Sequence, residues 1–291
     1  MKNVLIFFAF LLLYSCSISQ SSGFQKEKRI AQNKVKFQIE DNEIFKEKVK
    51  WSRKKNLSKL PFNEVIIEIS KSFLGSPYEA YTLDQNYPEK LVVNIRSFDC
   101  LTFLENVLAL SLIIKSNSSS FSHYQSTLYS LRYRGGSHLS YSSRLHYYTD
   151  WLLDAEKKNF LFNIQGPDRF KKELNILSKN TKRKNEINKI KKTENILQER
   201  TFNYFSCKTL ETINLDNILQ NGDIIAFTSN LSGLDVNHVA FAYKDKAKWT
   251  YIDATSVNKK EVEIYPGSII EYCNKVKTNT GIMIARPIFS K

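Results

Sequence analysis

A polar turn followed directly by a long apolar stretch constrains the fold of this chain more than any other feature. The turn ends in Asp99-Cys100, and residues 101–114 are mostly apolar. Because Asp is a favourable N-cap residue, we predict that a helix begins at Asp99, with Cys100 in its first turn. The unpaired N–H groups at the start of a helix favour a thiolate there, so Cys100 is a candidate nucleophile. The alternative is a small apolar cysteine of the core.

Helical patterns come before strand-like patterns along the chain. Helix-like apolar spacing covers residues 40–51 and 61–73. After Gly222, short β-rich runs alternate with Gly, Asn and Lys turns, at residues 224–227, 238–243, 249–252, 262–265 and 282–285. This order predicts an α+β fold with N-terminal helices, including the helix of Cys100, packed on a C-terminal antiparallel sheet.

Residues 40–291 are predicted to form a single domain with a helical insertion at about 116–200. A chain of 291 residues with a hydrophobic fraction of 42% can build one large core. Residues 123–134 and part of 141–159 have helical patterns, and 170–198 is basic and lacks Gly and Pro. That composition favours a solvated helical excursion or a mobile loop.

The N-terminus resembles a bacterial lipoprotein signal. Lys2 precedes an apolar run at residues 4–14, which is short for a membrane span. The run ends in a sequence similar to a lipobox, Leu13-Tyr14-Ser15-Cys16. We therefore expect a signal peptide at 1–16, lipidation at Cys16, a polar tether at 17–39, and a periplasmic or membrane-anchored protein. The alternative is an ordinary signal peptide that is cleaved near residues 17–22.

The net charge of +14 is compatible with an anionic partner, such as a nucleic acid, a membrane surface or a cell-wall polymer. The alternative is a lysine- and asparagine-rich bias spread over the surface. We favour the latter because no dense Lys/Arg helix with interleaved aromatic residues is present. Export also argues against a nucleic-acid partner.

Three cysteines other than Cys16 are present. If Cys207 and Cys273 pair in an oxidising compartment, Cys100 is left as the free thiol. Two buried, unpaired thiols would give the same sequence, so the pairing stays open at this point.

His238 is the candidate base for Cys100. It opens a predicted strand after the loop at 233–237, so it can point into a cleft while the rest of the strand packs. Asp253 ends the next strand, where it can lie beside His238 and fix the tautomer of the imidazole. The alternatives are a structural role for His238 and a turn or cap role for Asp253.

No cofactor or metal is predicted. The sequence contains neither zinc-ligand spacing nor a Walker or Rossmann glycine pattern, and it has no Gly-x-Ser-x-Gly elbow.

Four stretches carry a resemblance to a known family: residues 74–78, 98–105, 142–147 and 222–238. In this order they resemble the NlpC/P60 papain-like superfamily of cell-wall hydrolases. Within it, the chain is similar to the DUF1460 branch, the N-acetylmuramoyl-L-alanine amidase-like family, from about Pro61 to Pro287.

The resemblance implies a papain-like fold with Cys100 as the nucleophile and His238 as the base. Many relatives have a histidine after the next strand as the third residue, and Asp253 occupies that place here. Tyr78 is implied to line the pocket near the oxyanion site. The implied reaction is hydrolysis of the amide that joins N-acetylmuramic acid to L-alanine in peptidoglycan fragments.

Three further residues are candidates for substrate binding. Arg144, with His146 nearby, could hold a carboxylate of the peptide stem, although both could instead anchor their helix. Asp99 could pair with an ammonium group, which leaves open an endopeptidase that cuts within the stem. A third alternative is a catalytically inactive wall-binding lipoprotein, against which the intact Cys100 and His238 argue.

Overall fold

Helices form most of the N-terminal part of the protein, and strands form most of the C-terminal part. The computed structural model describes residues 32–136, 138–175, 185, 187–188, 199–257 and 259–290. The helices are α1 (Ile39–Lys54), α2 (Phe62–Lys71), α3 (Cys100–Lys115), α4 (Phe121–Arg132), α5 (Tyr148–Lys157), α6 (Cys207–Thr212) and α7 (Ile269–Lys275). The strands are β1 (Val35–Lys36), β2 (Leu91–Val92), β3 (Leu161–Ile164), β4 (Asp168–Glu173), β5 (Glu199–Ser206), β6 (Ile224–Ser229), β7 (Val236–Asp245), β8 (Lys248–Ala254), β9 (Val262–Ile264) and β10 (Asn279–Pro287).

Helix α3 runs through the centre of the main core. Its residues from Thr102 to Ile114 are all buried, as expected for a helix that is apolar on every side. It packs between α2 and α4, and it also contacts β7 and β8. Each fully buried Leu or Phe side chain contributes about 1.5–3 kcal/mol, so this helix is firmly anchored.

The main sheet orders its strands β4-β5-β10-β6-β7-β8-β9, and β3 also pairs with β10. The pairings along this sheet are antiparallel. The predicted strands after Gly222 are present as β6 to β10. The predicted α+β class with an antiparallel sheet is therefore confirmed.

Strand β7 joins the two cores of the protein. Val239 and Phe241 pack into the main core with α3, whereas Ala240 and Ala242 pack into a second core with α6 and α7. This alternation is the period of two that a strand buried on both faces requires. A bulge in the β6–β7 pairing lies beside His238, at the start of this strand.

Two features predicted from the sequence need correction, the helical character of the insertion and the end of the tether. The insertion at 116–200 is not wholly helical, because β3 and β4 lie in its second half and β5 begins at Glu199. In β4, Phe170 is the buried residue of an otherwise polar strand, so the alternation that predicts a strand is weak. The tether predicted to end at residue 39 ends earlier, because Val35 is buried and β1 pairs with β2.

A disulfide joins α6 to α7 through Cys207 and Cys273. The pairing that the sequence left open is therefore present, and Cys100 is the free cysteine of the described residues. The two cysteines are 66 residues apart in sequence. In the chain-entropy model such a loop closure stabilises the fold by about 4 kcal/mol.

The predicted signal peptide, the lipidation site at Cys16 and residues 17–31 of the tether lie outside the described residues. Among the helices that are described, none combines the length and the apolar character needed to cross a membrane.

Candidate active site

Cys100 is the first residue of α3, as the sequence predicted. The Asp99 side chain caps the helix, accepting hydrogen bonds from the Thr102 N–H at 2.7 Å and the Thr102 hydroxyl at 2.8 Å. The Asp99 N–H donates in return to Thr102 Oγ1 at 2.9 Å. The first N–H groups of a helix have no intrahelical partner and give its N-terminus a partial positive charge. The half-buried Cys100 thiol lies at this positive end.

His238 and Asp253 meet across β7 and β8. The His238 Nε2 lies 2.7 Å from Asp253 Oδ2. Their side chains are only 13% and 3% exposed. The strands pair in a register that sets Phe241 opposite Ile252, which places Asp253 diagonally across from His238. The expectation that neighbouring strands bring these two residues together is confirmed, while their roles in catalysis stay predictions.

The Cys100 thiol lies close enough to the His238 imidazole to influence its pKa. Burial is the largest influence on this pKa and by itself disfavours the imidazolium. The hydrogen bond to Asp253, together with the polar and charge interactions with Cys100 and Asp253, outweighs burial and raises the pKa of His238 to about 10. The site thus links a thiol, an imidazole and a carboxylate in one line, which is the arrangement of a nucleophile, a base and an orienting group.

Tyr78 lies at the same end of α3. Its N–H donates to the Lys260 carbonyl at 2.7 Å, and the neighbouring Glu79 N–H donates to the Phe98 carbonyl at 2.9 Å. Ser256 lies near the Tyr78 hydroxyl and acts to lower its pKa. Burial, followed by the charges of Cys100 and Asp99, raises the pKa of Tyr78 to about 12. The loop that carries Tyr78 therefore joins the turn before α3 to the chain that leads into β9.

A family model described as AmiA-like, N-acetylmuramoyl-L-alanine amidase-like, matches residues 68–282. This match covers well over half of the chain. The chain belongs to the N-acetylmuramoyl-L-alanine amidase-like family.

Solved structures agree with this assignment. Two crystal structures of an N-acetylmuramoyl-L-alanine amidase from Bacteroides uniformis are similar to this amidase-like chain. One has 30% sequence identity and a TM-score of 0.71, covering 78% of this chain and 99% of that one. The other has 29% identity and a TM-score of 0.71, covering 78% and 98%.

A more distant structure, of a DUF1460 protein from Legionella pneumophila, shares the fold. It has 21% identity and a TM-score of 0.65, and the match covers 86% of this chain and 95% of that one. A comparison with curated proteins finds no match.

In the amidase-like chain, Arg144 forms ion pairs with other side chains of the protein. Its guanidinium is 7% exposed and pairs with Asp84 and with Glu89, whose Oε1 lies 3.1 Å from Arg144 Nε. It also lies over the ring of Tyr141 at 5.0 Å. Two carboxylates already neutralise this cation, which favours the anchoring alternative over a contact with substrate.

The sequence suggested that His146 lies on a helix. In the structure it lies instead between a 3-10 turn and α5. Its Nε2 is 2.8 Å from the Tyr141 carbonyl, and the two rings pack at 4.3 Å. These contacts also favour an anchoring role. Helix α5 begins at Tyr148, and Asp235 accepts hydrogen bonds from the Thr149 N–H and hydroxyl in its first turn, each at 2.8 Å.

Three residues around the amidase-like site were not predicted from the sequence: Asp235, Ser256 and Tyr272, the last with its ring centroid 6.0 Å from that of His238. Asp235 is 1% exposed and ties the loop before His238 to α5. Burial raises its pKa in spite of the hydrogen bonds it accepts. Asp235 is part of the 222–238 stretch and could have been found there, whereas nothing in the local sequence marks Ser256 or Tyr272.

Within the parts of the chain that the structure describes, no group of three or more His, Cys, Asp or Glu side chains could hold a metal ion.

Proposed function

We propose that the protein is a cysteine amidase that hydrolyses the bond between N-acetylmuramic acid and L-alanine in peptidoglycan fragments. The observation that carries this proposal is the hydrogen-bonded pair of His238 and Asp253 next to Cys100, the first residue of α3. Membership of an amidase-like family supplies the class of substrate.

The first half of the reaction forms a thioester. His238 carries the proton, and the Cys100 Sγ thiolate attacks the lactyl carbonyl carbon of the muramic acid. The carbonyl oxygen becomes an oxyanion, which the Cys100 N–H and nearby Tyr78 stabilise. The carbon–nitrogen bond then breaks, and His238 returns the proton to the departing nitrogen of L-alanine.

The second half of the reaction releases the enzyme. His238 takes a proton from water, and the resulting hydroxide attacks the thioester carbonyl. The carbon–sulfur bond breaks, the lactyl carboxylic acid leaves and loses its proton to solvent, and the Cys100 thiolate beside protonated His238 is restored. Throughout, Asp253 holds the imidazole in one orientation and stabilises its charged form.

The assignment to the NlpC/P60 superfamily with a papain-like fold is part of this proposal. It is supported by a buried helix that carries the thiol at its N-terminus and by an antiparallel sheet that supplies the base.

Export and anchoring at Cys16 are also proposed. The Cys207–Cys273 disulfide supports an oxidising compartment, since such bonds are rare in the cytosol. Membrane fractionation of the full chain and of Cys16→Ser tests the anchor. The variant should become soluble in the periplasm, and an unmutated protein that is already soluble would contradict lipidation.

The decisive experiment is mass spectrometry of the products from a defined muramyl peptide. We expect a free muramic-acid sugar and an intact stem peptide that begins with L-alanine. Cys100→Ala is the matched control and should give neither product. Cleavage within the stem would instead support an endopeptidase, and no cleavage by the unmutated protein would support a wall-binding lipoprotein.

A further inference from the structure

Tyr272 packs against the imidazole of His238 from a helix that has no part in the mechanism described above. It lies on α7, and its ring centroid is 6.0 Å from that of His238. The same ring packs on Phe227 at 4.6 Å and on Tyr251 at 5.4 Å. Phe227 and Tyr251 also lie 6.3 and 6.2 Å from the imidazole. Aromatic rings from two strands and a helix therefore surround His238.

Hydrogen bonds alone leave His238 incompletely fixed. Asp253 holds the imidazole through Oδ2, but its Oδ1 is buried and accepts no hydrogen bond from the described residues. A carboxylate that is fixed through one oxygen can rotate, because the last torsion of Asp is soft. The orientation of the imidazole must therefore depend on the rings packed against it.

The charges of the reacting groups act on Tyr272. Burial, followed by the charges of Asp253 and Cys100, raises the pKa of Tyr272 to about 12. Tyr272 is therefore a neighbour of both partners of the imidazole as well as of the imidazole itself.

Helix α7 depends on its surroundings to keep Tyr272 in place. It spans seven residues, and helices this short are unstable by themselves. The residue that follows Tyr272 is Cys273, whose disulfide to Cys207 ties α7 to α6. A covalent link thus lies one residue away from the ring that contacts His238.

We propose that Tyr272 is a positioning residue whose ring keeps the His238 imidazole between Cys100 and Asp253, and that the Cys207–Cys273 disulfide maintains this packing. Loss of the ring lets the imidazole turn, which weakens its contact with Cys100. The proposal rests on the proposed function only in that His238 acts on Cys100.

The test measures how fast iodoacetamide alkylates Cys100 at neutral pH, followed by mass spectrometry of the peptide that contains Cys100. Tyr272→Leu should lower this rate about tenfold, as is typical of residues that are coupled by direct contact. Tyr272→Phe should restore it, because the ring is kept. Tyr265→Leu is the matched control, because it removes a ring of the same aromatic cluster that packs on Tyr251 and Tyr272 at 4.8 and 5.3 Å but is not one of the three rings placed against His238. It should leave the rate unchanged.

A double-mutant cycle separates positioning from general structural support. In a His238→Ala background, Tyr272→Leu should cause no further loss, since there is no imidazole left to position. The same loss in both backgrounds, or an unchanged rate in Tyr272→Leu, would overturn the proposal.

A second variant keeps the test open if Tyr272→Leu does not fold. The double substitution Cys207→Ala/Cys273→Ala leaves Tyr272 in place and should also lower the alkylation rate. An unchanged rate would overturn the role of the disulfide. Alkylation needs no muramyl peptide, so failure of the proposed amidase reaction would leave these results intact, and the reverse also holds.

Discussion

Two buried ion pairs have the same geometry and differ in what they can do. Arg132 Nε lies 2.7 Å from Glu105 Oε2 in the main core, and His238 Nε2 lies 2.7 Å from Asp253 Oδ2 at the end of the sheet. Arg132 also donates to the Val92 carbonyl at 2.6 Å and keeps its proton at all ordinary pH values. It can therefore only hold α4 against α3.

His238 differs from Arg132 both in its ability to lose its proton and in the chemistry of its neighbours. Its imidazole can release its proton, although its partners raise its pKa to about 10, and its second neighbour is a thiol at the start of a helix. Burial and a short ion pair alone therefore do not mark a catalytic site. The distinguishing features are a group that can release its proton and a reactive neighbour to exchange it with.

Replacement of His238 should give the largest effect on activity. We expect His238→Ala to lower kcat by about 10⁴-fold or more, since the base and the proton donor are lost together. Glu105→Ala is the contrasting variant, whose correctly folded fraction should keep near-normal turnover. Steady-state kinetics on a muramyl peptide would measure both, and near-normal turnover of His238→Ala would exclude it as the base.

Replacement of Asp253 should be less damaging. Asp253→Ala should lower the rate by about 10² to 10⁴-fold, the range for loss of an orienting group. Asp253→Asn should be milder if orientation matters more than charge, and Asp253→His should keep much of the activity. The His238→Ala/Asp253→Ala double variant should be little worse than His238→Ala alone. Normal turnover of Asp253→Ala would show that Asp253 is only a strand-end residue.

Disruption of the Glu105–Arg132 ion pair in the main core should lower the stability of the protein. Removal of one partner leaves an unpaired buried charge, so Glu105→Ala should lower the free energy of unfolding by about 3–5 kcal/mol. Replacement of both partners, as in Glu105→Leu/Arg132→Met, should recover most of that loss. Urea unfolding would measure it, and equal losses in the single and double variants would contradict the pairing.

The smallest expected effect is a pH dependence of stability that only the His238 pair shows. The pKa of His238 is raised from 6.5 to about 10, so its charged form stabilises the folded protein. That contribution is complete below pH 6.5 and disappears as the pH rises through about 10. The stability difference between the protein and His238→Gln should therefore shrink over this range. The stability difference between the protein and Arg132→Gln is the control, because Arg132 stays charged over this range. If the stability differences of the two variants change with pH in the same way, the raised pKa of His238 is contradicted.

The sequence predicted the parts of the site that rest on local chemistry. The N-cap at Asp99 and the position of Cys100 follow from patterns within a few residues. The pairing of His238 with Asp253 follows from two strands that are neighbours along the chain and pair with each other. Strands β6 to β10 were visible because their apolar runs are separated by turn residues.

The parts that could not be predicted depend on distant contacts. Strand β4 lies at the edge of the sheet and buries little more than Phe170, so its sequence reads as polar. Arg144 looks like an exposed anion-binding group until the fold brings Asp84 and Glu89 against it. Tyr272 reaches His238 only after α7 packs on the sheet beside its disulfide.

The position of β10 determines when, during synthesis, the main sheet can be completed. This strand follows every other described strand in the chain, yet it lies inside the sheet, between β5 and β6. Until it has emerged from the ribosome, β6 keeps an open edge and β3 has no partner. Open strand edges favour pairing with other chains. We therefore expect nascent or truncated chains that lack residues 279–287 to aggregate, even though they already contain Cys100, His238 and Asp253.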